Sequence, residues 1–123
     1  MDIRLIDHAG LNVRNLEASA AWYERVFGLT IVHKFTSTWL IGSGGIRLGL
    51  FHRPDATPVQ DMDNRIAMTH LAFLIDPQAL PAIERRLTEL GIPFDPPTDI
   101  GIALSLFIKD PDGHELELIA YHA

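Results

Sequence analysis

A chain of 123 residues, 47% hydrophobic and 21% charged, has ordinary globular composition and enough length to bury one substantial core. Its formal net charge of −6, with no Lys/Arg cluster, argues against nucleic acid or anionic membrane as a partner. The absence of cysteine excludes disulfides and thiolate metal sites, so any bound metal must use His, Asp or Glu. No apolar run approaches the ~18 residues of a membrane span, and Asp2, Arg4 and Asp7 interrupt the N-terminal apolar positions in a way no signal peptide does. The expectation is a cytoplasmic protein whose partner is a small molecule or another protein chain.

Ile3 to Val13 reads as a strand with Ala9, Leu11 and Val13 on an apolar face and His8, Gly10 and Asn12 on the other. Asn15 is suited to cap a helix in which Leu16, Ala20, Tyr23 and Phe27 recur at helical spacing, and Gly28 is suited to end it. Three strands follow, over Leu29 to Lys34, Thr38 to Ile41 and Ile46 to His52, with a Gly-Ser-Gly-Gly turn at positions 42 to 45. This completes a βαβββ module over residues 1–52. Residues 53–68, with Pro54, Pro58 and four aspartate or asparagine positions among them, have loop composition and no period.

The pattern then restarts in residues 69–123. Thr69 to Ile75 reads as a strand with His70, Ala72 and Leu74 on one face. A helix with Leu80, Ile83, Leu87 and Leu90 follows and stops at Gly91, then come a Pro-rich loop at Pro96 and Pro97, a strand from Leu104 to Lys109, and a final strand after the turn Asp110-Pro111-Asp112-Gly113. Laying Gly45-Ile46-Arg47-Leu48-Gly49-Leu50 over Gly113-His114-Glu115-Leu116-Glu117-Leu118 aligns the turn glycine and both leucines, with Glu117 opposite Gly49. A module of four strands and one helix buries too little alone, so two copies must pair. The fold class expected is α+β: two tandem βαβββ modules forming a curled mixed sheet around a cleft.

His8 and His70 occupy equivalent repeat positions, and Glu117 lies on the last strand on the face opposite its leucines. Two imidazoles and a carboxylate make a three-ligand site with open positions, the arrangement used by catalytic zinc and by non-haem iron. Arg47 and Phe51 share the face of Gly49, which makes Arg47 a candidate for holding an anionic group. Glu115 shares the face of Glu117 and is a candidate base or supporting group. Trp22 and Tyr23 read as packing.

These residues resemble the vicinal oxygen chelate superfamily, which includes glyoxalase I, extradiol dioxygenases, fosfomycin resistance transferases and bleomycin resistance proteins. The resemblance rests on His8-Ala9-Gly10-Leu11-Asn12-Val13 leading to Trp22-Tyr23 and Phe27-Gly28-Leu29, on His70-Leu71-Ala72-Phe73, and on Asp110-Pro111-Asp112-Gly113-His114 with Glu117-Leu118. It implies one divalent metal (Fe, Mn, Zn or Ni) held by His8, His70 and Glu117, a homodimer, and a substrate chelated through two adjacent oxygens. The metal site is built from one chain in some members and from two in others.

The departures narrow the choice. Glyoxalase I and related epimerases supply a fourth ligand where this chain has Gly49. Fosfomycin transferases add a hydroxyl residue at the place of Gly10 and a Tyr at the place of Phe107, and no Arg or Lys follows Glu117 here to bind a phosphonate. Extradiol dioxygenases carry a further His, for which His52 is the candidate, and again a Tyr at the place of Phe107. The resemblance thus implies a metal-dependent enzyme, ring-cleaving dioxygenase-like or lyase/transferase-like, with Phe51 and Phe107 beside Arg47 in the pocket. The alternative is a bleomycin-resistance-like protein that sequesters a small molecule without turnover.

Overall fold

The computed structural model describes all of residues 1–123, which divide into two compact units, Met1–Pro58 and Val59–Ala123. No helix is long and apolar enough to cross a membrane. The fold is α+β, with a four-stranded mixed sheet and one α-helix in each unit.

The first unit contains β1 (Ala9–Val13), α1 (Leu16–Phe27), β2 (Thr30–Lys34), β3 (Thr38–Ser43) and β4 (Ile46–His52), with sheet order β1-β4-β3-β2. The first strand lies parallel to the last, starting at Ala9 opposite Leu48, and the other pairings are antiparallel. Asn15 caps α1, its side chain accepting from the Ala18 N–H at 2.9 Å. Gly28 ends the helix in the left-handed region at φ 71°, where its N–H returns to the Glu24 and Tyr23 carbonyls. The helix covers one face of the sheet, burying Leu11, Val13, Ile41, Leu48 and Leu50 beneath Leu16, Ala20 and a fully buried Tyr23. Trp22 and Tyr23 meet edge to face at 4.9 Å, which bears out their reading as packing residues.

The second unit repeats the plan with β5 (Leu71–Leu74), α2 (Leu80–Glu89), β6 (Thr98–Asp99), β7 (Ala103–Lys109) and β8 (Glu115–Tyr121), in sheet order β5-β8-β7-β6. Again the first strand is parallel to the last, now from Leu71 opposite Leu116. Leu106, Ile108, Leu116, Leu118 and Ala120 form the buried face, together with Leu80 and Leu87 of α2.

Three details differ from the sequence reading. The strand expected from Ile3 begins only at Ala9, because residues before it have no ladder partner, and Ile3, Leu5 and Ile6 are exposed. The two-residue strand β6, paired only through Thr98 and Asp99, lies in what reads as a Pro-rich loop. The two turn glycines also play different parts. In the short β3–β4 turn the positive φ is at Gly44, whereas in the longer β7–β8 loop it is at Gly113 (φ 89°), where a side chain would meet the Val59 carbonyl at 3.0 Å.

Burial ranks the stabilising contributions of β2 and β4. Leu50 is completely buried and Ile31 is 42% exposed, so Leu50→Ala should lose about 2–5 kcal/mol of unfolding free energy and Ile31→Ala no more than about 0.5 kcal/mol. Urea denaturation of the two variants checks the difference.

Candidate metal centre

In the second unit, β8 alternates so that Glu115, Glu117 and Ile119 face away from the leucine core, and β7 sets Lys109, Phe107 and Ser105 directly opposite them. His70 immediately precedes the β5–β8 ladder, in which Ala72 is paired with Glu117. That placement brings His70 Nε2 to 3.1 Å from Glu117 Oε1. Glu117 is 8% exposed, and its second carboxylate oxygen accepts a 2.5 Å hydrogen bond from the Ser105 hydroxyl, a diagonal cross-strand neighbour. Phe107 meets the His70 ring edge to face at 5.2 Å. On the same unit, Phe94, Phe107, Ile108, Lys109 and Glu115 line an open cavity of about 470 Å³.

The first unit holds the counterpart arrangement with one member missing. His8 stands before Ala9 opposite Leu48, as His70 stands before Leu71 opposite Leu116, and Gly49 takes the register position of Glu117. A Cβ built on Gly49 would lie 3.6 Å from the His8 ring and 3.2 Å from the Phe51 ring, which also crowds Gly10 at 3.0 Å. The phenyl group therefore fills the space that side chains at 10 and 49 would use. His8 Nδ1 lies 2.8 Å from Asp7 Oδ2, and Arg47 reaches the other Asp7 oxygen at 3.5 Å. The hydrogen bond from His8 is the main cause that holds the Asp7 carboxyl below its ordinary range; desolvation opposes it, and the charge of Arg47 adds a weaker pull downward.

Of the residues expected at a site, the structure brings His70, Glu117 and Phe107 together in one unit, and His8, Arg47 and Phe51 around Gly49 in the other. Glu115 lies opposite Lys109 at the cavity rim. His52 alternates onto the face of Leu48 and Leu50, away from Gly49. Within either unit no three His, Asp or Glu side chains gather. The His70–Glu117 pair itself, an imidazole nitrogen and a carboxylate oxygen converging with the carboxylate already oriented by Ser105, suits a first-row divalent cation.

Sequence reasoning did not find Ser105, Asp7 or Thr69, whose hydroxyl is 2.7 Å from His70 Nδ1. The signal was available for two of them, since Asp7 and Thr69 are the polar neighbours immediately before the histidines. Ser105 requires the β7–β8 register.

Comparison with known proteins identifies the family. Residues 5–118 match the family described as the Glyoxalase/Bleomycin resistance protein/Dioxygenase superfamily. The chain belongs to that superfamily. It is 30% identical over 119 residues to the metallothiol transferase FosB of Lysinibacillus sphaericus, covering 95% of this chain and 82% of that protein. A glyoxylase/bleomycin resistance protein/dioxygenase domain from Frankia superposes with a TM-score of 0.83 at 22% identity, covering 98% of this chain and all of the other. A mutant of the fosfomycin resistance protein FosX of Listeria monocytogenes, complexed with Mn(II) and a dihydroxypropylphosphonic acid, superposes at 0.78 and 20% identity, covering 98% and 93% of the two chains.

Removing the Ser105 hydroxyl leaves one oxygen of a buried carboxylate without its donor. Ser105→Ala should therefore lower the unfolding free energy by about 1–3 kcal/mol, a loss that urea titration of the metal-free protein will measure.

Proposed function

We propose that this chain is a divalent-metal enzyme of the transferase type, in which His8, His70 and Glu117 hold one cation and leave positions open for a small substrate with two adjacent oxygens. The observation that carries the reading is the repeated register: a histidine one residue before the parallel ladder in both units, with a buried carboxylate 3.1 Å from the second. The donor set of two imidazole nitrogens and one carboxylate oxygen suits Mn, Fe, Zn or Ni, and three protein ligands are what a catalytic rather than a structural site requires. The similarity to a metallothiol transferase favours group transfer over ring cleavage. A second copy of the chain is part of the proposal.

When bound, the cation supplies Lewis acidity to the substrate oxygens. The chain's own residues do the positioning. Ser105 fixes the Glu117 carboxylate, so the ligand is oriented before use. Phe107 packs on His70 and limits the ring's rotation on the cavity side. Arg47 gives one N–H to Asp7 and keeps others for an anionic substrate group.

Phe51 covers Gly10 and Gly49 with an apolar surface. With Gly10 and Phe107 at the positions where fosfomycin transferases carry hydroxyl and Tyr, the substrate is a small electrophile with an apolar body, and a phosphonate is a poor fit.

Protein stripped with a chelator and titrated with Mn(II) should take up one ion per His8/His70/Glu117 set, and His70→Ala should weaken the binding by more than about 100-fold. The loaded protein should then transfer a thiol to members of a panel of small epoxides that carry a carboxylate beside the ring, so that two neighbouring oxygens can reach the cation. Failure of the wild-type chain to take up any of the four metals overturns the reading in favour of sequestration without turnover.

A further inference from the structure

Phe107 faces two ways. Its ring meets His70 edge to face at 5.2 Å, and it also forms part of the wall of the 470 Å³ cavity on the second unit. Pro93, Phe94 and Ile108 extend that wall with apolar surface, while Asp95, Lys109 and Glu115 bring charge to it. The backbone on both sides is pinned. Gly91 ends α2 at φ 71°, with its N–H on the Thr88 carbonyl and the Ile92 N–H on that of Leu87, so Pro93 and Phe94 follow from a fixed turn. After Lys109, the Asp110 carboxylate accepts from the Asp112 and His114 N–H groups at 2.9 Å each, which fixes the loop that leads to Glu115.

Lys109 and Glu115 stand directly opposite each other on β7 and β8, on the face that carries Phe107 and Glu117. Opposite charges so placed ordinarily attract each other across the strands. Here no ion pair joins them, and neither side chain has a hydrogen-bond or charge partner elsewhere. Both instead border the cavity, and both border a second one of about 260 Å³. A free cation and a free anion beside two phenyl rings complement a molecule that carries both charges on an apolar body. Asp95 adds a second carboxylate at the same wall, which disfavours a ligand that is only an anion. Lys109 in turn disfavours one that is only a cation.

We propose that this cavity binds an amino-acid group of the small molecule on which the chain acts, with the carboxylate on Lys109, the ammonium on Glu115 and the apolar part against Phe94 and Phe107. Residues two apart on a strand are separated by about 7 Å, so the Lys109–Glu115 rung lies one such step from the Phe107–Glu117 rung. A substrate chelated at the His70–Glu117 pair thus presents its far end to the charged rung. The binding site stands on the cavity itself, and its service to the reaction rests on the reading of His70 and Glu117 as metal ligands.

The test is amide ¹H–¹⁵N titration of the full metal-free chain with three probes that share one ring: L-phenylalanine with both charges, 2-phenylethylamine with the cation alone, and 3-phenylpropionate with the anion alone. L-Phenylalanine should give saturable shifts at residues 93–95 and 107–115, and each singly charged probe should bind at least about 10-fold more weakly. Lys109→Met and Glu115→Gln should each cost about 10-fold or more in L-phenylalanine affinity, with amide spectra elsewhere unchanged as the check that both fold. After Mn(II) is added, the signals of bound L-phenylalanine should broaden with the wild-type chain and not with His70→Ala.

Absence of a saturable shift with L-phenylalanine overturns the inference, and so does equal binding of either singly charged probe or indifference to both substitutions. If L-phenylalanine binds and Mn(II) is taken up without broadening, the link between the cavity and the reaction is overturned. If L-phenylalanine binds as expected but the wild-type chain takes up no Mn(II), the metal reading falls and the amino-acid site stands.

Discussion

In each half of this chain the first strand runs parallel to the last, and a histidine stands one residue before that ladder begins. The parallel register fixes which residue of the last strand sits beside the histidine, because a slip of one residue would turn every side chain to the other face. Leu48 and Leu50 in one unit, and Leu116 and Leu118 in the other, hold the register by filling the buried face. Hydrophobic packing on one side of each sheet therefore sets the polar geometry on the opposite side. The geometry of the His70–Glu117 pair depends on leucines that point to the opposite face of the sheet.

The consequences differ between the two halves. In the second, Glu117 is drawn into a nearly closed position, an expensive location for a carboxylate unless a donor meets it, and the Ser105 hydroxyl donates to one oxygen while His70 Nε2 lies 3.1 Å from the other. In the first, Gly49 offers no carboxylate and Phe51 takes up the room. Duplication has thus kept the backbone frame and the histidine, and divided the remaining labour. One half presents a preoriented carboxylate, the other an aromatic surface with Arg47 and Asp7 at its edge.

Much of the architecture was legible because it depends on periodicity. The helix of Leu16, Ala20 and Tyr23, its cap at Asn15 and its stop at Gly28 followed from spacing and residue type, and so did the strand from Ile46 to His52. Alternation also set Glu117 and Glu115 on one face and Arg47 with Phe51 on another. What escaped was whatever depends on partners far apart in sequence. Ile3 and Leu5 alternate like a strand but find no neighbour, and β6 forms because β7 lies beside it rather than because Thr98 and Asp99 favour extension. His52 falls on the leucine face by the same alternation that put Gly49 on the other. Ser105 became visible as a partner of Glu117 only once the register of β7 against β8 was known.

The Phe51 ring over Gly10 and Gly49 bears on how such a chain changes over evolutionary time. A carboxylate introduced at position 49 has to push the ring aside, and a smaller residue at 51 alone exposes bare backbone with nothing to fill the gap. A side chain at position 49 therefore requires the Phe51 ring to give way by a few tenths of an ångström. The aromatic cover thereby ties the residue at position 49 to the one at 51, so that the two duplicated halves stay different at this register position unless both change together.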